Sequence, residues 1–308
     1  MGWLRSEKFQ TKTISVGNLS IGGTGKTPMI EWLITQIPAT FKVAVVTRGY
    51  GRKGSTPLLA LTDHSSKEIG DEPKQLITKF PDLCLRVDGN RRRAIQWLEA
   101  TMKPDIILLD DAHQHRRITP QKAIILTTYA NLYSEDYFLP TGNLRDSRRE
   151  ARRADSIIVT KCPDILAPEQ EEEVVRKLKP GPAQEVIFAR LQYSEHLSGA
   201  KPLSLQELKE YPFTLVTGIA QPKPLVKFLK SRDLKFTHLA FPDHHHFSKK
   251  EIEKFKSIDL LVFTEKDYAR VGHLLPNASF LEVKHKFLGE GKAKIMDCLG
   301  IKTQNASI

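Results

Sequence analysis

Three glycines, a lysine and a threonine cluster in "SVGNLSIGGTGKTPMIEWL", residues 15–33. Glycines at this density let the backbone curl and turn several N–H groups towards one anion. The lysine can reach the β- and γ-phosphates of a nucleotide, and the threonine hydroxyl can bind Mg²⁺. We therefore predict a loop that binds a nucleoside triphosphate, formed by Gly22, Gly23, Thr24, Gly25, Lys26 and Thr27.

This loop departs at one position from the generic pattern G-x-x-x-x-G-K-[ST], because Ser20 stands at the first glycine position. The physical requirements are kept. An apolar strand enters the loop and an amphipathic run leaves it, so the positive end of a helix faces the phosphates. Pro28 fits the first helical turn, where its missing N–H costs little. A glycine-rich turn without a ligand is the alternative.

Two carboxylates follow a second apolar strand in "DIILLDDAHQH", residues 105–115. Asp110 and Asp111 have the Walker B arrangement. We predict that Asp110 binds Mg²⁺ and that Asp111 acts beside it in the catalytic site. A pair of turn aspartates is the alternative interpretation. Together the two motifs predict a nucleotidase or kinase, but they do not identify the acceptor.

Short apolar runs alternate with helical patterns along the chain, and these elements must position the motifs. Apolar strands separated by helices predict a parallel sheet covered on both faces. We predict an α/β fold of the P-loop NTPase type with a second, smaller α/β domain. The strands are expected at 13–18, 42–48, 83–88, 105–110, 122–128, 155–161, 185–191, 213–219, 235–241, 259–265 and 278–284. The helices are expected at 26–37, 71–80, 91–102, 222–231 and 248–256.

Proline and glycine interrupt both periodicities in "KPGPAQ", residues 179–184. We therefore divide the chain near this segment. Residues 1–184 are predicted to form a P-loop kinase core domain. Residues 185–308 are predicted to form a smaller C-terminal α/β domain that closes over the active-site cleft.

The composition argues against a disulfide-rich protein and a membrane-spanning protein, and it favours one with an anionic partner. The chain has 308 residues, a net charge of +11 and three widely separated cysteines, which argue against a disulfide framework. No apolar run reaches the roughly 18 residues that a membrane-spanning helix needs. The positive charge favours an anionic partner, which could be nucleic acid, anionic lipid or a phosphorylated substrate.

Five further motifs carry a family resemblance. They are "TRGYGRK" (47–53), "GDEP" (70–73), "DDAHQHR" (110–116), "LPTGNLRD" (139–146) and "FPDHHHF" (241–247). With the phosphate loop, this set resembles the lipid A 4′-kinases (tetraacyldisaccharide 4′-kinases) from about residue 10 to at least residue 270. A serine at the position of Ser20 is typical of that family. "DGNRRRAI" and "VTKCPD" are similar to its branch from Bacteroidetes-type bacteria.

The resemblance implies an activity. The family transfers the γ-phosphate of ATP to the 4′-hydroxyl of a lipid A disaccharide 1-phosphate, with ATP and Mg²⁺ required. It also implies a peripheral, monomeric protein at the anionic cytoplasmic face of the inner membrane. Nucleic acid is not expected as a partner, since aromatic residues make up only 8% and no RNA-binding motif is present.

The resemblance also implies catalytic residues. The family has a catalytic aspartate near "LCLRVDGNRRRAI", and Asp88 is chosen over Asn90 because only a carboxylate can serve as a base. His244 is expected to pair with it, and His115 to contact phosphate or the metal shell. Because Lys26 and His244 belong to different predicted domains, the site is expected in an interdomain cleft whose closure excludes water.

Arginines are abundant in the matched motifs, and guanidinium groups suit bidentate contacts with phosphate. Arg48, Arg91 and Arg145 are predicted to bind the 1-phosphate of the substrate. Alternatively, some of these arginines cover a surface near anionic headgroups. Lys161 in "VTKCPD" is a candidate for flanking the adenine.

Three departures from the family pattern keep other functions open. Ala112 and His113 replace the usual residues, Asp146 and Ser147 alter the "LREP"-like motif, and only about a dozen residues precede the first strand. Either the sequence starts late or the chain contacts lipid through another surface. The alternatives are a catalytically impaired relative, or a P-loop ATPase or GTPase that binds nucleic acid or carries metal on His244–His246.

Overall fold

The structure of the protein, a computed structural model, describes residues 6–301. The outer ends of the two predicted domains, 1–5 and 302–308, lie outside this range. Within it, twelve strands form one sheet. They are β1 (Lys12–Asn18), β2 (Val43–Thr47), β3 (Leu58–Leu59), β4 (Cys84–Val87), β5 (Ile106–Asp110), β6 (Lys122–Thr128), β7 (Ser156–Thr160), β8 (Glu185–Gly199), β9 (Phe213–Thr217), β10 (Phe236–Ala240), β11 (Leu261–Thr264) and β12 (Ala278–Phe287).

The α-helices of the described range connect these strands. They are α1 (Lys26–Gln36), α2 (Ser66–Ile69), α3 (Asp71–Lys79), α4 (Arg91–Thr101), α5 (Pro168–Leu178), α6 (Lys223–Ser231), α7 (Lys249–Lys256), α8 (Glu265–Val271) and α9 (Gly291–Leu299). None of the helices between residues 6 and 301 is long and apolar enough to cross a membrane.

The strand order across the sheet is β10-β9-β11-β12-β8-β7-β6-β1-β5-β2-β4-β3. Neighbouring strands pair in parallel except for β3 with β4 and β8 with β12, which are antiparallel. β1 lies between β5 and β6, so the strand that enters the phosphate loop is central. The predicted mostly parallel α/β sheet flanked by helices is confirmed.

β5 shows why the apolar runs become central strands. Successive side chains of a strand point to opposite faces. Ile106 and Leu108 pack in the core that contains α1 and α9, whereas Ile107 and Leu109 pack in the core that contains α4. Each fully buried side chain of this kind stabilises the fold by roughly 1.5–3 kcal/mol. Since both faces are buried, polar side chains fit only at the carboxyl end of the strand, where Asp110 stands.

β8 joins the two halves of the sheet. Its first residues, from Glu185 to Phe188, pair with β7, and the rest of the strand pairs with β12. The segment at 179–184 lies directly before this strand, so the predicted boundary falls at the start of an element that both halves share. α9 returns to the first half, where Ile295 and Met296 pack in the same core as Ile14 of β1. The division near 185 stays a prediction.

Candidate active site

The predicted phosphate loop lies between β1 and α1, as the sequence indicated. Gly22 and Gly25 have φ angles of 108° and 91°, a left-handed region that glycine adopts without steric cost. Asn18 donates a hydrogen bond to the Thr24 hydroxyl at 3.0 Å, and the Thr160 hydroxyl at the end of β7 donates to the Thr24 carbonyl at 2.8 Å. The loop is therefore tied to the carboxyl ends of two strands.

Lys26 places its ammonium group beside the acidic residues of β5. Its Nζ lies 3.3 Å from Asn18 Oδ1 and 3.8 Å from Asp111 Oδ1. Arg145 donates to both Asp111 carboxylate oxygens and to Asn18 Oδ1. The loop, the Walker B pair and the "LPTGNLRD" segment thus meet at one place.

Asp110 and Asp111 differ in ionisation although they are neighbours. Burial, together with the charge of Asp111, outweighs Lys26 and raises the pKa of Asp110 to about 6. Burial would also raise the pKa of Asp111, but the hydrogen bond from Arg145 and the charge of Lys26 outweigh it and lower that pKa. A cation bound at Asp110 would favour its ionised form, so cation binding there should weaken as the pH falls below about 6.

The donors at this place fit Mg²⁺. Mg²⁺ prefers oxygen ligands and is usually held by one or two carboxylates together with substrate phosphates and water. Asp110 ends β5, where its Oδ2 accepts a hydrogen bond from the Thr47 hydroxyl at 3.1 Å, and Thr27 lies in the first turn of α1. Across residues 6–301, no group of three or more His, Cys, Asp or Glu side chains is arranged to hold a metal. A metal at this place would therefore depend on the phosphates.

His244 pairs with Asp71, not with Asp88, so the predicted pairing was wrong. Its Nδ1 lies 2.6 Å from Asp71 Oδ2. The same oxygen accepts a hydrogen bond of 2.7 Å from Arg270 of α8. Burial raises the pKa of Asp71, but the hydrogen bonds from His244 and Arg270 outweigh it and hold that pKa well below its usual range. Asp71 is therefore ionised, and Nδ1 of His244 carries the hydrogen.

The second ring nitrogen of His244, Nε2, lies near a group of charged residues. With the hydrogen on Nδ1, Nε2 of the neutral ring is an acceptor, and Lys266 Nζ lies 3.3 Å from it. Lys266 also lies 3.6 Å from Glu72 and 3.7 Å from Asp243. Glu72 in turn contributes to the raised pKa of Asp110. One turn of α3 therefore links the histidine to the carboxylate that ends β5.

Asp88 lies outside this arrangement. Its carboxylate is fully buried and accepts two hydrogen bonds from Arg93, at 3.0 Å from Nε and 2.8 Å from Nη2. The backbone N–H of Asn90 donates to it at 2.8 Å. Asn90 in turn caps α4 by accepting from the Arg93 N–H at 3.2 Å. These contacts give Asp88 a structural place at the start of α4, and its predicted catalytic role is untested.

The remaining predicted site residues, Arg48, Arg91 and His115, differ in how accessible they are to a ligand. Arg48 is exposed, and it lies close enough to Arg91 and His115 to lower the pKa of both groups, in each case after the larger effect of burial. His115 Nε2 is buried and has no hydrogen-bond partner among the described residues. Arg91 is 4% exposed and donates to the carbonyls of Asp88, Gly89 and Asp110. Arg48 is thus more accessible to a substrate phosphate than Arg91.

A cavity of about 260 Å³ opens beside the loop. Its lining includes the loop residues from Ser20 to Thr24, the end of β6 and the residues Asp136, Lys161 and Gln221. Lys161 Nζ lies 3.3 Å from Gln221 Oε1, so the two halves of the chain meet across the cavity. That Lys161 flanks the adenine stays a prediction.

Sequence reasoning missed three residues around His244: Asp71, Lys266 and Arg270. From the sequence, Asp71 and Glu72 of the "GDEP" motif are expected only to order the start of the adjoining helix or to hold a supporting partner. Lys266 and Arg270 lie on α8, which immediately follows β11, and the apolar run concealed the start of this helix. The only local signal was the capping pattern T-E-K-D, in which the Thr264 hydroxyl accepts from the Asp267 N–H at 3.2 Å.

Comparisons with known proteins follow this geometry. The model of a family described as tetraacyldisaccharide-1-P 4′-kinase matches residues 1–299. The tetraacyldisaccharide 4′-kinase of Flavobacterium johnsoniae is 42% identical over 294 residues, 93% of this chain and 86% of that protein. That of Parabacteroides distasonis is 43% identical over 289 residues, 88% of this chain and 78% of that protein.

A solved structure has the same fold. The crystal structure of LpxK from Aquifex aeolicus in complex with ATP superposes with a TM-score of 0.75 and covers 97% of this chain and 91% of that chain. The two sequences are 24% identical, so this likeness supports the fold alone. It confirms the prediction of a P-loop kinase type of sheet.

Proposed function

Because the chain belongs to the tetraacyldisaccharide-1-P 4′-kinase family, we propose that it transfers the γ-phosphate of ATP to the 4′-hydroxyl of a lipid A disaccharide 1-phosphate. The observation that carries this proposal is the meeting of two sets of residues. A GKT loop with its acidic partners is connected through Glu72 to an aspartate–histidine pair that can accept a proton: the charge of Glu72 acts on Asp110, and Lys266 lies 3.6 Å from Glu72 and 3.3 Å from His244. A nucleotidase needs the first set, and a kinase that acts on an alcohol also uses the second.

The loop and the cavity give ATP an orientation. The nucleoside occupies the cavity beside Lys161 and Gln221, and the phosphates follow the loop to the start of α1. The Lys26 ammonium, 3.8 Å from Asp111, would then lie next to the phosphate that is transferred. Asp110 and Thr27 would hold Mg²⁺. When bound there, Mg²⁺ neutralises charge on the phosphoryl oxygens.

His244 acts on the acceptor hydroxyl. The ionised carboxylate of Asp71 holds the hydrogen on Nδ1, which leaves Nε2 able to accept the 4′-hydroxyl proton. Lys266 would have to leave Nε2 for the hydroxyl to bind there, and Glu72 and Asp243, at 3.6 and 3.7 Å from its Nζ, can pair with it instead. The 4′-oxygen then bonds to the γ-phosphorus as the bond to the β,γ-bridging oxygen breaks, the proton passes to Nε2, and ADP leaves.

Positive charge on the protein suits both a phosphorylated substrate and an anionic membrane surface. Arg48 lies beside the site and is exposed, which suits contact with the 1-phosphate. Arg145 is held by Asp111 and Asn18, so it orients the Walker B carboxylate rather than binding the lipid. The net charge of +11 favours a peripheral position on the anionic face of the inner membrane, where the chain acts as a monomer.

A transfer assay tests the activity. Purified protein is given radiolabelled ATP, Mg²⁺ and the lipid disaccharide 1-phosphate, dispersed either in neutral or in anionic phospholipid vesicles. We expect label in the lipid, at a higher rate on the anionic vesicles, and a loss of at least about a hundredfold for Lys26→Ala because charge stabilisation is removed.

The alternative predicts another outcome. ATP hydrolysis that RNA stimulates, without label in the lipid, would support a nucleic-acid-dependent ATPase and reject the kinase. The metal-carrier variant of that alternative has less support, since His244 contacts Asp71 and His245 contacts Glu251 at 3.1 Å. These two histidines therefore have different partners.

A further inference from the structure

One buried histidine connects the C-terminal part of the chain to the phosphate loop. His285 lies on β12, and its Nε2 is 2.9 Å from the carbonyl oxygen of Gly25. The residue is only 5% exposed. A strand distant in sequence therefore contacts the residue that immediately precedes Lys26.

The loop backbone and the ring are in close contact. A Cβ at Gly25 would lie 2.9 Å from both Cε1 and Nε2 of His285, well inside the roughly 3.5–4.0 Å of favourable contact between heavy atoms. The absence of a side chain at Gly25 thus does two things. It permits the left-handed φ of 91°, and it lets an imidazole reach the loop from outside.

The contact fixes which nitrogen carries the hydrogen. A carbonyl oxygen only accepts, so Nε2 of His285 must be the donor. Nδ1 is buried and has no hydrogen-bond partner among the residues that the structure describes. Burial also lowers the pKa of His285 to about 4, so the ring is neutral at physiological pH. A buried nitrogen without a partner costs free energy, and the carbonyl contact is the evident reason for a histidine here.

The carbonyl that His285 contacts controls a donor of the loop. The Gly25 oxygen also accepts from the Met29 N–H at 3.1 Å, the first hydrogen bond of α1. Two donors therefore hold this carbonyl. Because the peptide group is planar and trans, fixing the C=O of Gly25 also fixes the direction of the N–H of Lys26, on the opposite side. We propose that His285 is a positioning residue that holds the Gly25–Lys26 peptide so that its N–H points to the nucleotide phosphates.

A second contact on the same strand supports this role. Phe287 packs on Trp32 of α1 with ring centroids 4.6 Å apart. Residues two apart on a strand share a face, so His285 and Phe287 both face α1. His285 contacts Gly25 just before the helix, and Phe287 contacts Trp32 in its second turn. The inference rests on the proposed function, because it assigns a role only if the loop binds ATP.

Two variants separate positioning from packing. His285→Phe keeps a ring of similar shape without the donor, whereas His285→Gln returns an amide N–H near the position of Nε2. We expect His285→Phe to weaken binding of ATP with Mg²⁺ about tenfold by calorimetry and to raise KM for ATP, with KM for the lipid changed less than twofold. His285→Gln should recover at least half of that loss on a logarithmic scale.

The matched control is His238→Phe. His238 lies on β10 and also makes one Nε2 hydrogen bond of 2.9 Å, to the Thr217 hydroxyl, but it does not contact the loop. It should leave ATP binding unchanged. A folded His285→Phe protein with wild-type affinity for ATP, or a Gln variant no better than Phe, overturns the inference. A wild-type protein that transfers no phosphate rejects the proposed function instead.

One measurement does not depend on how the variants fold. Nitrogen-15 spectra of the histidine rings in the wild-type protein report each tautomer. We expect one neutral ring with hydrogen on Nε2, unchanged between pH 5.5 and 8, whose Nε2 signal shifts when ATP and Mg²⁺ are added. A ring at this position that carries its hydrogen on Nδ1, or that titrates in this range, contradicts the proposal.

Discussion

One oxygen of Asp71 accepts from both His244 and Arg270, and this shared contact fixes the tautomer of the imidazole. Asp71→Asn should lower kcat at least about a hundredfold, because an amide can donate to Nδ1 and then favours hydrogen on Nε2, the wrong tautomer for a base. Affinity for ATP should change less than about threefold, since Asp71 is not part of the loop. Steady-state kinetics and calorimetry with ATP separate the two effects.

Asp88→Asn is the matched control for that change. It also removes one carboxylate, but a carboxylate that Arg93 occupies through both oxygens. We expect a lower Tm, because the buried group at position 88 loses its ion pair with the exposed Arg93, and a kcat within about threefold of wild type. A loss of activity in Asp88→Asn with normal activity in Asp71→Asn would return the pairing role to the residue chosen from sequence.

At the scale of residues, the sequence contained most of the local chemistry. The loop from Gly22 to Thr27 and the pair Asp110–Asp111 lie where their flanking strands predicted. The partner of His244 could not be identified, because two aspartates lie at the borders of elements and nothing local separates them. Arg93, five residues after Asp88, separates them in the structure, because it donates to both carboxylate oxygens of Asp88.

At the scale of elements, the side chain of Lys79 connects three helices and one strand. It ends α3, and its Nζ lies 2.8 Å from Glu31 of α1, 2.6 Å from Glu265 at the start of α8 and 3.5 Å from Glu282 of β12. α1, α3 and α8 carry Lys26, Asp71 and Arg270, respectively. This cluster therefore holds three helices that contribute to the site, and only one of its four charges is positive.

The excess of carboxylates predicts a pH dependence of stability. Burial and the charge of Glu31 outweigh Lys79 and raise the pKa of Glu265 to about 7, above the ordinary value of 4.5. The folded state thus binds this proton more tightly than the unfolded state does. The stabilisation is complete below about pH 4.5 and is lost as the pH rises through 7, by roughly 3 kcal/mol in total.

Glu265→Gln tests this dependence, because an amide does not titrate. Denaturant unfolding at pH 5 and pH 8 should show a smaller difference in the free energy of unfolding for Glu265→Gln than for wild type. Glu253→Gln is the control, since Glu253 makes an exposed pair with Lys256 and should leave the difference unchanged. Equal pH dependence in wild type and Glu265→Gln would contradict the assignment.

Element bounds were more predictable than the contacts between elements. The apolar runs became strands within about two residues of their predicted bounds, except that β8 continues to Gly199 and β12 to Phe287. β3, α2, α5, α8 and α9 had no predicted bounds, α8 because the apolar run of β11 leads directly into it. The pairing of Asp71 with His244 spans 173 residues, so it depends on the sheet order, which periodicity does not contain.

Contacts between the two predicted domains extend over the whole molecule. β8 pairs with both β7 and β12, and α9 packs in the core of β1. Asp71 reaches Arg270, Lys79 reaches Glu282, and Gly25 reaches His285. Apart from the pairing of β8 with β12, each of these contacts joins a residue before the predicted boundary to one after it, and several of them lie at the site itself.

This distribution makes the division near residue 185 testable by heat. Domains that unfold independently share few contacts, whereas a shared strand and a common core make unfolding cooperative. We expect scanning calorimetry of the full chain to show one transition, and ATP with Mg²⁺ to move that transition as a whole, because a ligand that binds only the folded state stabilises every element coupled to it. Two transitions, only one of which moves with ATP, would support the independent domains that the sequence predicted. In that case the contact of His285 with the loop would have to form and break while both domains stay folded. Closure of the second domain over the nucleotide would then be the simplest explanation of how the site is completed.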